Sequence, residues 1–182
     1  MRAQTQHQPE NAHLLERTLM SDQNAATQPK GEQPSTRFSI QKIYVKDVSF
    51  EAPSAPDVFT HQVNPRINMQ LGNSAKALAQ NVHEVVLSLT VTATHEEKTT
   101  FLIEVQQAGI FGIEGYTDQQ LQSLLGSYCP NILFPFAREV VADLASKGGF
   151  PPLLLAPINF EALYAQHLQG QKPSAPGDGS VQ

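Results

Sequence analysis

Side chains able to do covalent or metal chemistry are few and scattered. Cys129 is the single cysteine of the 182 residues, so neither an intrachain disulfide nor a closed thiolate zinc site can form. No His with Asn or Asp constellation assembles around it by motif, and it reads as a half-buried residue at a helix start. His61, His83, His95 and His167 show no H-x-x-x-H spacing and read as surface or packing residues. Gly109, Gly112 and Gly115 in AGIFGIEG are spaced G-x-x-G-x-x-G, which is not the dinucleotide fingerprint. A nucleophile elbow, a P-loop and a paired-carboxylate site are all missing from the sequence. No catalytic residue, cofactor or metal site is expected, which leaves non-covalent binding as the chemistry on offer.

The stretch best suited to binding is Ser127 to Phe160, too apolar and too rich in proline for an ordinary surface. Pro130 suits the first turn of a helix. Leu133, Ala137, Val140, Val141 and Leu144 then recur on one helical stripe, and Gly148 with Gly149 ends it. Beyond the glycines, Phe150, Leu153, Leu154, Leu155, Ile158 and Phe160 come with Pro151, Pro152 and Pro157, which hold the backbone extended and remove N–H donors. An apolar cluster of this size is the mark of an interaction site. Phe111, Phe134, Phe136, Phe150, Leu153, Leu155 and Phe160 are the candidates for lining a groove, although core packing is the alternative for each of them singly.

Other elements must hold this stretch. Phe38, Ile40, Tyr44, Val48 and Phe50 alternate with polar residues as in a strand with one buried face; Lys42 and Lys46 interrupt that face, and Ile43 and Val45 add apolar character to the other, which hints at a subunit contact. Ala52 to Asn64 is a loop. Ile67, Met69 and Leu71 mark a second strand, with its turn expected at Gly72–Ser74. Val82 to Thr94 is a third, carrying Val85, Leu87, Leu89, Val91 and Ala93 on one face. Phe101, Ile103 and Val105 mark a fourth, joined to the third as a hairpin across His95–Lys98. Ala108 to Gly115 is expected to be the hinge between sheet and helices. Thr117 with Gln120 has capping-box form for a short helix that Gly126 should close, and Asn159 can cap a last helix from Phe160 to about Leu168.

A formal net charge of −5 argues against nucleic acid as the main partner, and no apolar run is long enough to span a membrane. The first 36 residues are mainly polar and read as a disordered extension without the apolar core of a signal peptide. A cytoplasmic location is therefore expected. Residues 37–168 form the folded domain and 169–182 a flexible tail. Met20, followed by Ser21 and Asp22, has the look of an alternative translation start.

IQKIYVKDVSFEAPSAPDVF, EVQQAGIFGIEG, SYCPNILFPFAREVV and GGFPPLLLAPINFEALY occur in the order found in the SecB family of bacterial protein-export chaperones, which the chain closely resembles from about Phe38 to Leu168. The resemblance implies an α+β fold: a four-stranded antiparallel sheet with helices packed on one side, assembled as a homotetramer, a dimer of dimers. It implies an ATP-independent holdase that binds unfolded secretory precursors and delivers them to the SecA motor of the Sec pathway. The family's motor-docking positions match Asp47, Glu51, Leu102 and Glu104, which in the family meet a basic, zinc-containing tail of SecA, so the zinc belongs to the partner. Positions governing tetramer assembly match Ile103, Val105 and Gln107 on the opposite face of the same strand. On the residues alone, a small-ligand domain whose apolar loop closes over its ligand is the other reading. The two readings differ in the size of what is bound.

Overall fold

The computed structural model describes residues 35–170. The N-terminal lead up to residue 34, the alternative start at Met20 and the tail from residue 171 lie outside the described residues. Four long strands, β1 (Arg37–Glu51), β2 (Arg66–Ala79), β3 (Val82–His95) and β4 (Lys98–Glu114), make one antiparallel sheet in the order β1-β4-β3-β2. The β3–β4 hairpin turns on Glu96 and Glu97, both at positive φ, as a two-residue turn with the twist of its flanking strands requires. Two strands run further than their apolar periodicity suggests. Gly72, Asn73 and Ser74 do not turn the chain but stay paired with Ser88, Leu87 and Val86. Likewise Ala108 to Glu114 is no hinge, since β4 pairs there with β1 on one side and over much of its length with β3 on the other. The chain leaves the sheet at Gly115, whose φ of +77° suits a glycine.

The irregular pattern of β1 has a geometric cause. Its pairing with β4 slips between Ile40 and Lys42 and again between Val45 and Asp47. Each bulge inserts one residue and exchanges the two faces of the strand beyond it. Phe38 and Ile40 therefore start on the helix side, Ile43 and Val45 continue it in the flipped segment, and Val48 and Phe50 resume it after the second slip. Tyr44 and Lys42 turn to the bare side. Apart from Tyr44, the apolar residues on the two apparent faces belong to one face, so their pattern reflects the bulges.

The helical layer begins at Thr117, whose side chain accepts from the Gln120 N–H while Gln120 Oε1 accepts from the Thr117 N–H, the reciprocal cap read from the sequence. The helix α1 (Asp118–Ser123) is not closed at Gly126. It passes through a widened turn, Leu124–Tyr128, directly into α2 (Cys129–Lys147). Gly126 is needed for space, because a Cβ there would lie 2.4 Å from the Tyr164 ring. Pro130 has no N–H, and the Cys129 N–H goes to the Leu124 carbonyl, so the Leu125 carbonyl loses its helical donor. Asn73 Nδ2 of β2 donates to it instead, at 3.0 Å. The last helix, α3 (Phe160–Gly170), is capped as expected, with the Ala162 N–H donating to Asn159 Oδ1 at 3.0 Å.

One side of the sheet forms the core. Leu133, Ala137, Val141 and Ala145 of α2 are buried in one cluster with Val85, Leu87, Leu89 and Val91 of β3 and Ile103, Val105 and Phe111 of β4. The helix comes close to the sheet at Gly109, where a Cβ would meet Leu133 Cδ2 at 3.0 Å. Asn73→Ala should cost about 1 kcal/mol by stranding the Leu125 carbonyl. The urea midpoint should fall with the denaturant slope unchanged; an unaltered midpoint would mean that water replaces the amide without loss.

Candidate functional site

Two surfaces of different chemistry flank the core. The helices lie on one face of the sheet, so the alternate side chains of each strand point to a bare face. Strand register places Glu51 opposite Leu102, Ser49 opposite Glu104, and Asp47 opposite Gln106. Asp47, Glu51, Leu102 and Glu104 are thereby brought together on the bare face, the three carboxylates exposed and Leu102 half-buried among them. Ser49 Oγ reaches Glu104 Oε2 at 3.5 Å. Thr92 pairs with Leu102 and Thr90 with Glu104 on the next strand, and Asn68 and Gln70 follow on β2, so the patch continues into a polar surface. Alternation already puts Asp47 and Glu51 on the polar face of β1, because its two bulges cancel; what spacing does not give is the register that seats them opposite Gln106 and Leu102.

Beyond the second bulge the bare face carries a second polar cluster. Tyr44 Oη donates to Glu84 Oε1, and Lys46 Nζ donates to both Glu84 oxygens, at 2.9 and 2.8 Å. The Lys46 ammonium and then the Tyr44 hydroxyl hold the Glu84 carboxyl below its ordinary range, and the same bond pushes the Tyr44 phenol upward. From the helix side, Gln107 Nε2 donates to the Tyr44 carbonyl at 2.9 Å. Periodicity gave no sign of either contact, since the bulge puts Tyr44 on the face opposite to the one its apolar neighbours suggested.

Ile103, Val105 and Gln107 do lie on the face opposite the carboxylates. They are not at a surface, however: they are 0%, 1% and 2% exposed in the single chain, covered by α2 and its neighbours. Any influence they have on assembly must pass through the fold of the protomer.

The groove candidates divide in the same way. Phe111, Phe134, Phe150, Leu155 and Phe160 are buried core residues, and after the turn at Gly148–Gly149 Phe150 enters an aromatic cluster. Its ring centroid lies 4.8 Å from that of Phe101 and 5.1 Å from that of Phe59. Leu153 is half-buried, and Phe136 stands 47% exposed on the outer side of α2. Leu154, named in the apolar run but not among the groove candidates, is the most open, at 80%. The helices leave further apolar surface uncovered, including Val45 and Val48 of β1, Ile67 and Met69 of β2, and Leu163 and Leu168 of α3. A groove of about 580 Å³ runs between β2 and α3, lined by Leu71, Leu125, Phe160, Leu163 and Tyr164 among others. A second, of about 420 Å³, lies between Tyr128 and the Pro157–Glu161 segment. Composition marked an apolar region, but it could not separate apolar residues that fill the core from those left at its rim.

Among the described residues no cluster of His, Cys, Asp and Glu could hold a metal ion, and no helix is long and apolar enough to cross a membrane. Cys129 is fully buried, and desolvation pushes its thiol up to about 12.

The architecture is also that of a SecB-like chaperone from Mycobacterium tuberculosis, solved in complex with a peptide from an antitoxin. The two structures superpose with a TM-score of 0.58 at 19% identity, over 67% of this chain and 91% of the other. The fold is thus an α+β scaffold of the SecB-like type. The family described as "Preprotein translocase subunit SecB" matches residues 31–171. A protein-export protein SecB of Nitrosococcus oceani is 62% identical over 154 residues, 84% of this chain and 92% of that one. Another, of Methylococcus capsulatus, is 56% identical over 140 residues, 77% and 90% of the two chains. The chain belongs to the SecB family.

Two outcomes follow from burial. Val105→Asp should destabilise the protomer itself by several kcal/mol rather than merely divide an assembly, since it places an unpaired charge in a dry core; circular dichroism and light scattering on the same sample distinguish the two. For Cys129, the unfolded thiol ionises near its ordinary value of 9.0 while the folded one stays protonated to about 12. The folded state binds the extra proton, so stability should fall as pH rises through that window. Cys129→Ala should lack this component of the alkaline loss, and identical pH profiles for the two proteins would contradict it.

Proposed function

We propose that this chain is an ATP-independent holdase: it binds unfolded secretory precursors along the apolar surface on the helix side of the sheet and delivers them to SecA through the carboxylates on the bare face. The observation that carries the reading is the segregation of these chemistries. Leu154, Phe136, Leu163 and the β2–α3 groove lie with the helical layer, whereas Asp47, Glu51 and Glu104 lie on the face the helices leave bare. Membership of the SecB family and the names of the export relatives support the assignment of cargo and pathway.

Magnitudes fit loose capture. One Leu or Phe buried on binding contributes roughly 1.5–3 kcal/mol, so three to five anchors give about −8 kcal/mol, a micromolar complex, once ordering of the client is subtracted. Binding should follow the apolar and aromatic content of an unfolded chain rather than a motif. An open groove several residues long also suits an extended chain better than an enclosed small molecule. The carboxylate patch suits a cationic segment of SecA, with its electrostatic part screened over about 8 Å at physiological salt. The working form on this reading is a cytoplasmic homotetramer, whose assembly buries some of the apolar rim left open in one chain.

Diluting a denatured, unrelated protein into buffer with and without this chain, and following light scattering in the absence of nucleotide, tests the holding activity; unchanged aggregation would overturn it. Asp47→Lys with Glu104→Lys separates delivery from holding. The double variant should lose affinity for SecA, most steeply at low salt, while suppressing aggregation as well as the wild type does. Equal loss of both activities would mean that the two surfaces are not separate.

A further inference from the structure

The second bulge of β1 decides which side chains reach the docking patch. Had β1 only its first bulge, strict alternation would carry Val48 and Phe50 to the bare face and turn Asp47, Ser49 and Glu51 towards the helices. The slip between Val45 and Asp47 restores them to the face of Glu104. A bulge leaves ladder groups unpaired and must be held by something else. Here it is held from both sides, by Gln107 Nε2 on the Tyr44 carbonyl and by Glu84 on Lys46 and Tyr44.

The bulge also puts a cation at an awkward place. Lys46 immediately precedes Asp47 and is 41% exposed, while the Glu84 side chain that takes its ammonium is only 12% exposed. Without that partner, Lys46 would be free to swing to Asp47 or to repel an incoming cation, well within one Debye length of the patch. Lys76, directly opposite Glu84 on β2, adds positive charge on the far side of the pair, so the bare face is basic at one end and acidic at the other.

We propose that Lys46, clamped by Glu84, is a positioning residue for the docking surface: the pair fixes the β1 bulge that presents Asp47 beside Glu104 and draws the lysine charge away from them. This rests on the docking reading given above, and it extends that reading to residues that touch no partner.

The test exploits a disagreement with simple charge counting. A fluorescent penta-lysine peptide serves as the probe and is titrated at low salt against wild type, Lys46→Met, Lys46→Arg and the Asp47→Lys, Glu104→Lys double variant. Charge counting predicts that Lys46→Met, one unit more negative, binds the probe more tightly. The clamp predicts weaker binding, by roughly two- to five-fold, the scale of one surface charge interaction, with wild-type affinity restored in Lys46→Arg. Amide exchange at Tyr44–Asp47 should quicken in Lys46→Met and not in Lys46→Arg, with aggregation suppression equal in both. Tighter binding by Lys46→Met, alongside lost binding by the double variant, would overturn the clamp and leave the docking patch standing. A probe that binds wild type and the double variant alike would overturn both.

Discussion

The seating of α2 on the odd-numbered side chains of β4 is the contact on which the rest of the molecule depends. Leu133 lies over Gly109, and Ala137, Val141 and Ala145 extend the stripe across Ile103, Val105 and the facing residues of β3. A single helix is narrower than four strands. It covers the two central strands and leaves the same face of β1 and β2 partly open at Val45, Val48, Ile67 and Met69. One packing choice thus produces a core, an apolar rim beside it, and a reverse face that no helix touches. A long apolar rim is unusual for a chain that works alone, and the proposed clients and neighbouring protomers are what would cover it.

How far the fold could be read from the residues depended on whether the deciding interaction was local. Strand β3, with Val85, Leu87, Leu89, Val91 and Ala93 on one side, and the caps at Thr117 and Asn159 are local patterns, and they appear in the structure as read. Strand β1 is different, because its two slips are settled by what it pairs with and by Gln107 and Glu84, which are distant in sequence. Gly126 and Pro130 looked like the end of one helix and the start of another. The ring of Tyr164 and the amide of Asn73 give both residues other reasons to be where they are. The groove was harder still. An apolar side chain in a proline-rich loop carries no local mark of whether it will point inward, so Phe150 and Leu155 went to the core while Leu154, between them in sequence, stayed open. The docking positions came from resemblance, and only the register shows them to be neighbours.

On the proposed function, the division of the sheet into two faces matters more than any single residue. A holdase must grip many sequences weakly and still let the motor find it while loaded. Burial of apolar side chains is non-directional and tolerant of sequence, which suits the grip. Carboxylates on a flat strand surface act at longer range and respond to salt, which suits the encounter. Placing them on opposite sides of a sheet rather than along one groove means that a bound client need not mask the docking charges. The buried thiol of Cys129 and the fully covered Ile103, Val105 and Gln107 hold these surfaces in place without being part of either.

The central claim is that client and motor touch opposite faces of one sheet, and methyl-resolved NMR of the assembled protein, titrated separately with an unfolded client and with the cationic segment of SecA, tests it most directly. The account predicts that the client shifts and broadens Leu154 and Leu163 while leaving Leu102 unchanged, and that the cationic segment does the reverse. Movement of Leu102 by the client, with Leu154 and Leu163 silent, would contradict it.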